Sequence, residues 1–282
     1  MMQSPLVAVE NLVVEFKGRS LKQPNRVVKG VSFEIHEGQT LGLVGESGSG
    51  KTTIGRALLG LTAESSGSIR FDGRELTELA RSERRRASAG IQAVFQDPYS
   101  SLNPSMTIAD ILAEPITEGK GKQKRERVEE LLDAVGLPSG SGRRLAREFS
   151  GGQRQRIAIA RALALRPKLI ICDEPTSALD MSTQSRVLKL LRDLQEQTSV
   201  AYLFISHDLR VVQAMSEHTA VLLGGEIVEL GSADQVAEAP EHPYTRRLQL
   251  ATPVPDPARQ RQRREERIRF LQEQAAAGEE VR

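Results

Sequence analysis

The 282-residue chain is poor in several residue types that would each signal a class of protein: it has one cysteine, no tryptophan and only 4% aromatic residues. A lone Cys172 can build neither an internal disulfide nor a cysteine metal cluster, which points to a reducing compartment. The shortage of aromatics argues against a base-stacking platform or a membrane-interface belt. An excess of one charge is also missing, since 39 Lys and Arg against 37 Asp and Glu leave a net +2. So even a balance exerts no strong whole-molecule pull toward nucleic acid or anionic lipid. No apolar run approaches the roughly 18 residues of a membrane span, and the opening MMQSPLVAVENLVVEF lacks a basic stretch ahead of an apolar core. The expectation is a soluble cytosolic protein. With 39% hydrophobic residues the composition is that of an ordinary globular chain. At this length it buries roughly 75% of its unfolded surface.

Strand patterns come first: Leu6 to Val9, Leu12 to Phe16, the alternating Val31 to His36, and the buried-looking Thr40 to Val44. A Gly/Ser loop and a helix from Thr52 to Leu61 follow, then a hairpin arm, Ser68 to Phe71, at the Asp72-Gly73 turn, and a short strand, Ile91 to Phe95. From about Pro98 to Ala164 the periodicity turns helical, over Ile108 to Glu114, Val128 to Val135 and Gln153 to Leu165, with Gly-rich links such as 118–122. Strands and helices then alternate: Leu169 to Cys172, Asp180 to Gln197, Val200 to Ile205, Leu209 to Met215. Such alternation predicts an α/β fold with a parallel sheet covered on both faces, interrupted by a helical insertion at about 97–165. A late hairpin, Thr219 to Leu223 and Ile227 to Leu230, turns at Gly224-Gly225. We read residues 1–255 as one domain and 256–282, rich in Arg, Gln and Glu, as a solvated helical or disordered tail, a nucleic-acid or lipid contact being the alternative.

Gly45-Glu46-Ser47-Gly48-Ser49-Gly50-Lys51-Thr52 fits G-x-x-x-x-G-K-[ST] at every fixed position. The glycines let successive N–H groups face a phosphate, and the helix that follows adds its positive end. Lys51 is placed to reach β- and γ-phosphates, and the Thr52 hydroxyl to ligate Mg²⁺. A Gly/Ser loop can join a strand to a helix without binding anything, but the apolar strand before this one and the amphipathic helix after it favour nucleotide binding. A second apolar strand ends in Asp173-Glu174. Side chains alternate across a strand, so adjacent carboxylates diverge and can hold separate tasks: Asp173 the Mg²⁺, Glu174 the attacking water. The competing reading is a solvated acidic turn. Cys172 beside them reads as a small buried hydrophobe. Ser150-Gly151-Gly152-Gln153 opens another helix, either a second anion site or an ordinary capped helix. If the two anion sites share one nucleotide, two chains must pack head-to-tail about a twofold axis. His36, His218 and His242 are too scattered for a metal site and read as surface or structural.

Taken in order, these motifs resemble those of an ATP-binding subunit of an ABC transporter over about residues 6 to 252. Gly45 to Thr52 matches the Walker A loop, Gln96 the Q-loop, Ser150 to Gln153 the signature, Leu169 to Glu174 Walker B, Ser177 to Asp180 the D-loop and His207 the switch histidine. The resemblance implies a P-loop ABC ATPase core with an N-terminal antiparallel β-subdomain and an inserted helical subdomain. It implies ATP and Mg²⁺, with catalysis by Glu174 and His207. ATP would meet Phe16 at the adenine, then Gly45, Ser47, Gly48, Ser49, Gly50, Lys51, Thr52, Thr53 and Gln96. Ser150, Gly151, Gly152 and Gln153 would contact the ATP of a partner chain, beside the D-loop Asp180. Thr52, Gln96 and Asp173 would hold Mg²⁺.

The run Phe95-Gln96-Asp97-Pro98-Tyr99-Ser100-Ser101-Leu102-Asn103-Pro104, Phe149 ahead of the signature, and His242-Pro243-Tyr244-Thr245 are similar to the oligopeptide/dipeptide/nickel importer branch. Many members of that branch carry a C-terminal cysteine cluster, which this sequence does not. The branch implies a motor subunit, most readily for oligopeptides or dipeptides, with nickel or another small solute as the alternative. The implied partners are a second, identical or homologous ATPase chain, two membrane permeases at whose cytoplasmic face Asp97 to Pro104 would sit, and indirectly a solute-binding protein. Its place would be peripheral, on the cytoplasmic face of the membrane, with no nucleic acid expected. Two other classes compete: an ABC ATPase acting on ribosomes or DNA, which would usually carry tandem cassettes or a long coiled-coil insertion, and a regulatory module without hydrolysis, which would lack Glu174 or His207.

Overall fold

Alternating side chains along three central strands decide the layering. In β7 (Leu169–Asp173), Leu169 and Ile171 join one apolar cluster and Ile170 and Cys172 the other. In β8 (Ala201–Ser206), Ala201, Leu203 and Ile205 face the first cluster, Tyr202 and Phe204 the second. Every residue of β8 and of β3 (Thr40–Val44) is buried. A sheet with both faces apolar must be covered on both sides, as parallel sheets are. The computed structural model describes residues 4–16, 24–77, 79–97, 101–117 and 121–252, with single positions at 261, 264, 265, 268, 269 and 272. Pro98-Tyr99-Ser100 and most of the tail after Asp256 lie outside the described residues.

The large sheet runs β10-β9-β3-β8-β7-β6, with β6 at Ile91–Val94, β9 at His218–Leu223 and β10 at Glu226–Ser232. All its pairings are parallel except that of β10 with β9. The parallel strands therefore end together, and every loop leaving a C-terminal end opens on one edge. A second, antiparallel sheet has the order β2-β1-β4-β5, from β1 (Val7–Phe16), β2 (Asn25–Ile35), β4 (Ser66–Phe71) and β5 (Arg74–Glu75). Helix α1 (Lys51–Leu58) buries Ile54, Ala57 and Leu58 between the two sheets. The opposite face of the large sheet is covered by α5 (Gly151–Leu163), α6 (Met181–Thr198) and α7 (Leu209–Met215), with α3 (Ile108–Ala113) and α4 (Lys122–Ala134) packed on α5. Among the described residues of 4–252, three further α-helices are α2 (Arg81–Ala87), α8 (Ala233–Glu238) and α9 (Pro243–Ala251).

Several boundaries differ from the sequence reading. Leu6 to Val9 and Leu12 to Phe16 form one strand, because Asn11 takes up a left-handed backbone (φ 49°) and makes a bulge at which the register shifts. Helices α2, α8 and α9 were not anticipated. Helix α2 reads Arg-Ser-Glu-Arg-Arg-Arg-Ala, with no apolar stripe to find, and α8 has only six residues. Helix α4 begins at Lys122, six residues ahead of its apolar stripe, since the first turn is entirely charged or polar.

Candidate active site

The C-terminal ends of β3, β7, β8 and β6 bring Gly45 to Thr53, Asp173 and Glu174, His207, and Gln96 to one edge of the sheet. That edge is where open parallel sheets bind ligands. The loop after β3 enters α1 through Gly50, whose φ of 111° is open only to glycine, and a Cβ there would meet the Val27 carbonyl oxygen at 2.9 Å. No side chain caps the first turn of α1, unlike α3, α5, α6, α7, α8 and α9, each capped by its own N-cap residue. The exposed N–H groups of an uncapped helix start suit an anion. Ser49 Oγ is buried without a hydrogen-bond partner, and a Cβ on Gly48 would meet nothing within 4 Å. An orphaned hydroxyl beneath an open loop fits a phosphate group.

Lys51 is buried at 5% exposure, and its ammonium donates to the carbonyl oxygens of Gly45 at 2.7 Å and Glu46 at 2.8 Å. Burial lowers its pKa, while the carboxylates of Glu174, Asp173 and Glu46 counter that and favour the charged form. Asp173 sits on the same side of β7 as Leu169 and Ile171, facing α1. There the Thr52 hydroxyl donates to Asp173 Oδ1 at 3.1 Å. Burial raises the Asp173 pKa, Thr52 lowers it, Glu174 adds to the rise, and Arg56 and Lys51 oppose it. A half-buried carboxylate beside a hydroxyl is an oxygen donor set suited to a hard cation such as Mg²⁺, whose charge would offset the cost of burying the carboxylate. Among the described residues no group of three His, Cys, Asp or Glu gathers for a metal, here or elsewhere, so the Thr52 hydroxyl is part of the donor set.

Glu174 has φ 49°, a conformation uncommon for a residue with a side chain, and its N–H donates to the Ile205 carbonyl at 3.0 Å. This turn places Glu174 Oε2 3.5 Å from His207 Nδ1, the histidine one residue beyond β8. Gln96 is exposed two residues beyond β6. Phe16 ends β1, 45% exposed and therefore outside the core. It pairs with Asn25 at the end of β2 that leads to Val27, the residue lying over Gly50.

The structure does not bring Ser150 to Gln153 into this group by any hydrogen bond among the described residues. They close a capping box instead, Ser150 N–H to Gln153 Oε1 at 3.0 Å and Gln153 N–H to Ser150 Oγ at 3.3 Å. Gly152 has a packing reason that the sequence concealed: a Cβ there would lie 2.3 Å from Thr183 Cγ2 on α6. Asp180 caps α6, accepting from Ser182 Oγ at 2.6 Å and the Thr183 N–H at 3.0 Å, and these bonds hold its carboxyl well below the usual range. Of the other histidines, His242 caps α9 and His36 lies 3.8 Å from Glu34. The sequence reading also missed Tyr244 and Arg247, which reach the loop from α9. Their only signal was the His242-Pro243-Tyr244-Thr245 run, which carries no spacing relation to the loop.

The profile of the family described as ABC transporter matches residues 28–177, just over half of the chain. That of the oligopeptide/dipeptide transporter C-terminal region matches residues 228–278. The chain is 52% identical over 236 residues to the oligopeptide transport ATP-binding protein OppD of Mycobacterium tuberculosis, covering 83% of this chain and 39% of that protein. It is 50% identical over 268 residues to the glutathione import ATP-binding protein GsiA of Shigella flexneri, covering 92% and 43%. The chain thus spans about two-fifths of the length of these relatives. A putative peptide import ATP-binding protein of Brucella ovis is 47% identical over 260 residues, 91% of this chain and 81% of that one. The fold is similar to the ATP-binding cassette MJ0796 in a dimeric post-hydrolysis state with ADP and Pi, at TM-score 0.72, 29% identity and 80% and 98% coverage. It is also similar to cbiO1 of Clostridium perfringens, part of the ABC transporter complex cbiONQ, at TM-score 0.75, 27% identity and 84% and 93% coverage.

Proposed function

This chain belongs to the ABC transporter family, and from that premise we propose that it is the ATP-hydrolysing motor subunit of a membrane importer for oligopeptides or dipeptides. One observation carries the reading: Lys51, Thr52, Asp173, Glu174 and His207 converge at the ends of three adjacent parallel strands, with Glu174 Oε2 3.5 Å from His207 Nδ1. The peptide class is supported by the match of residues 228–278 and by relatives named for oligopeptide, glutathione and peptide import.

The loop amides and Lys51 bind the β- and γ-phosphates, and Phe16, exposed at the rim, stacks on the base. Thr52 and Asp173, with Gln96 from the next strand end, are the residues that would hold Mg²⁺, which neutralises charge on the phosphate oxygens. The Glu174 carboxylate takes a proton from water as its oxygen attacks the γ-phosphorus. The bond to the β–γ bridging oxygen breaks, leaving ADP and phosphate. His207 orients Glu174 and contacts the γ-phosphate. Ser150 to Gln153 remain for the nucleotide of a second ATPase chain packed head-to-tail, with Asp180 beside that junction. ATP then joins two chains and hydrolysis parts them, which moves the helical segment at about 97–165 against the permeases.

A cleft of about 400 Å³ along β6 is lined by Leu61, Phe95, Pro115 and Arg161 among others, and Leu61 there is 67% exposed. We place the permease contact there. No helix among the described residues is long and apolar enough to cross a membrane, so attachment to the cytoplasmic face would come through the permeases. Mild crosslinking in native cells followed by affinity capture tests the assembly. Two multi-span membrane proteins, with a solute-binding protein, are the expected catch; ribosomal or DNA-repair proteins in their place would overturn the transport reading.

A further inference from the structure

Tyr244 is fully buried, and its hydroxyl oxygen accepts the Glu46 backbone N–H at 2.9 Å from 198 residues away in sequence. The same peptide plane has the Gly45 carbonyl at its other end, which accepts Lys51 Nζ at 2.7 Å. A peptide unit is planar, so its N–H and C=O turn together. Tyr244 and Lys51 therefore grip one plane at the entrance of the loop from opposite ends. On the outside, Arg247, one turn along α9, places Nη2 3.1 Å from Glu46 Oε1 and lies 5.2 Å from the centre of the Tyr244 ring.

The grip is itself anchored. Glu229 on β10, buried at 8% exposure, accepts the N–H groups of Glu241 and His242 at 3.0 Å each and Gln235 Nε2 at 3.2 Å. His242 Nδ1 accepts the Tyr244 N–H at 3.1 Å, and Pro243 stiffens the first turn of α9. The path from β10 through α9 to the loop is thus a chain of short, oriented contacts with few rotatable bonds between them.

We infer that Tyr244 is a positioning residue for the phosphate loop: through the Glu46 amide it holds the Gly45–Glu46 peptide plane, and with it the resting place of Lys51, in the geometry that receives the nucleotide. The inference rests on the proposed reading of this loop as the ATP site. Tyr244 touches no reacting atom. The held plane serves bound substrate and transition state alike, so its loss weakens nucleotide binding and leaves the chemical step intact.

The test is Tyr244→Phe in the full chain, measured by binding of a fluorescent ATP analogue, by ATPase kinetics and by thermal melting. Freeing a polar backbone group is expected to raise Kd and KM about tenfold with kcat within about twofold. Arg247→Gln removes only the outer contact, and its expected effect is a rise in Kd of about two- to threefold that vanishes at high salt. Leu248→Ala is the structural control. This residue packs against the core from the same helix, and no hydrogen bond or ion pair joins it to the loop among the described residues, so melting should drop while Kd stays unchanged. Natural Kd and KM in Tyr244→Phe overturn the inference, and so does an equal rise in Kd for Leu248→Ala. Should Tyr244→Phe fail to fold, Glu229→Gln decides, since it loosens the anchor of α9 and with it the Tyr244 grip, and an unchanged Kd there overturns the inference. An unaltered chain that binds no MgATP would instead sink the ATP-site reading, and this inference with it.

Discussion

At the scale of single residues, the two adjacent carboxylates divide by backbone geometry. Alternation along β7 turns Asp173 toward α1 and Thr52, while the left-handed backbone of Glu174 swings its carboxylate toward His207. The first half of that division was legible, because strand parity alone predicts it. The second was not: nothing in Cys-Asp-Glu-Pro announces a φ of 49°, which depends on the Ile205 carbonyl waiting on the neighbouring strand. If Glu174 is the base, Glu174→Gln keeps the loop and the cation ligands and loses only proton transfer. Its MgATP affinity should stay natural while turnover falls at least ~100-fold, read by phosphate release. Unchanged turnover would remove Glu174 from the mechanism.

At the scale of elements, α5 and α6 approach closely where Gly152 faces Thr183. Gly152→Ala would drive a methyl group to within 2.3 Å of Thr183 Cγ2 and force the helices apart. The expected loss is about 1–3 kcal/mol, measured by denaturant unfolding. Thr183→Ser deletes the offending methyl and should restore most of it, a coupling that independent effects would not show. Helix α9 supplies a test by pH. Burial disfavours the Glu229 carboxylate, but the N–H groups of Glu241, His242 and Gln235 around it more than offset that and lower its pKa from the usual 4.5. A lowered folded-state pKa means stability that is present above 4.5 and lost as pH falls below it. Glu229→Gln should therefore melt below the natural chain at neutral pH, by about 1 kcal/mol or more, and the gap should close in acid. A gap independent of pH would show that shape, not charge, makes the contact. Helix positions that carried an apolar stripe were legible; α9, held chiefly by Glu229 and Tyr244, was not, because its restraints come from β10 and the loop after β3.

At the scale of the molecule, the uncapped start of α1, the orphaned Ser49 hydroxyl and the buried charges of Lys51 and Asp173 describe a loop that is more comfortable around an anion and a cation than alone. MgATP at about 100 times its Kd should stabilise the chain by about 2.7 kcal/mol, seen as a rise in melting temperature. In Glu174→Gln, the same nucleotide should also shift the chain from monomer to dimer by light scattering, because the proposed junction through Ser150 to Gln153 forms and is not hydrolysed apart. A Glu174→Gln chain that stays monomeric at saturating MgATP would contradict the head-to-tail assembly.

Local rules decide much of this protein from its sequence alone. A phosphate loop needs glycines, a lysine and a hydroxyl at fixed spacing in 45–52, and a doubly covered parallel strand needs an unbroken apolar run such as Leu169 to Cys172. Both requirements are met within a few residues, so both can be read along the chain. Tertiary structure decided which strand ends become neighbours, why Gly152 must be glycine, and that Tyr244 holds the peptide plane of Glu46. Those relations join residues 31 to 198 positions apart, and only the packing of sheet and helices sets the distances between them.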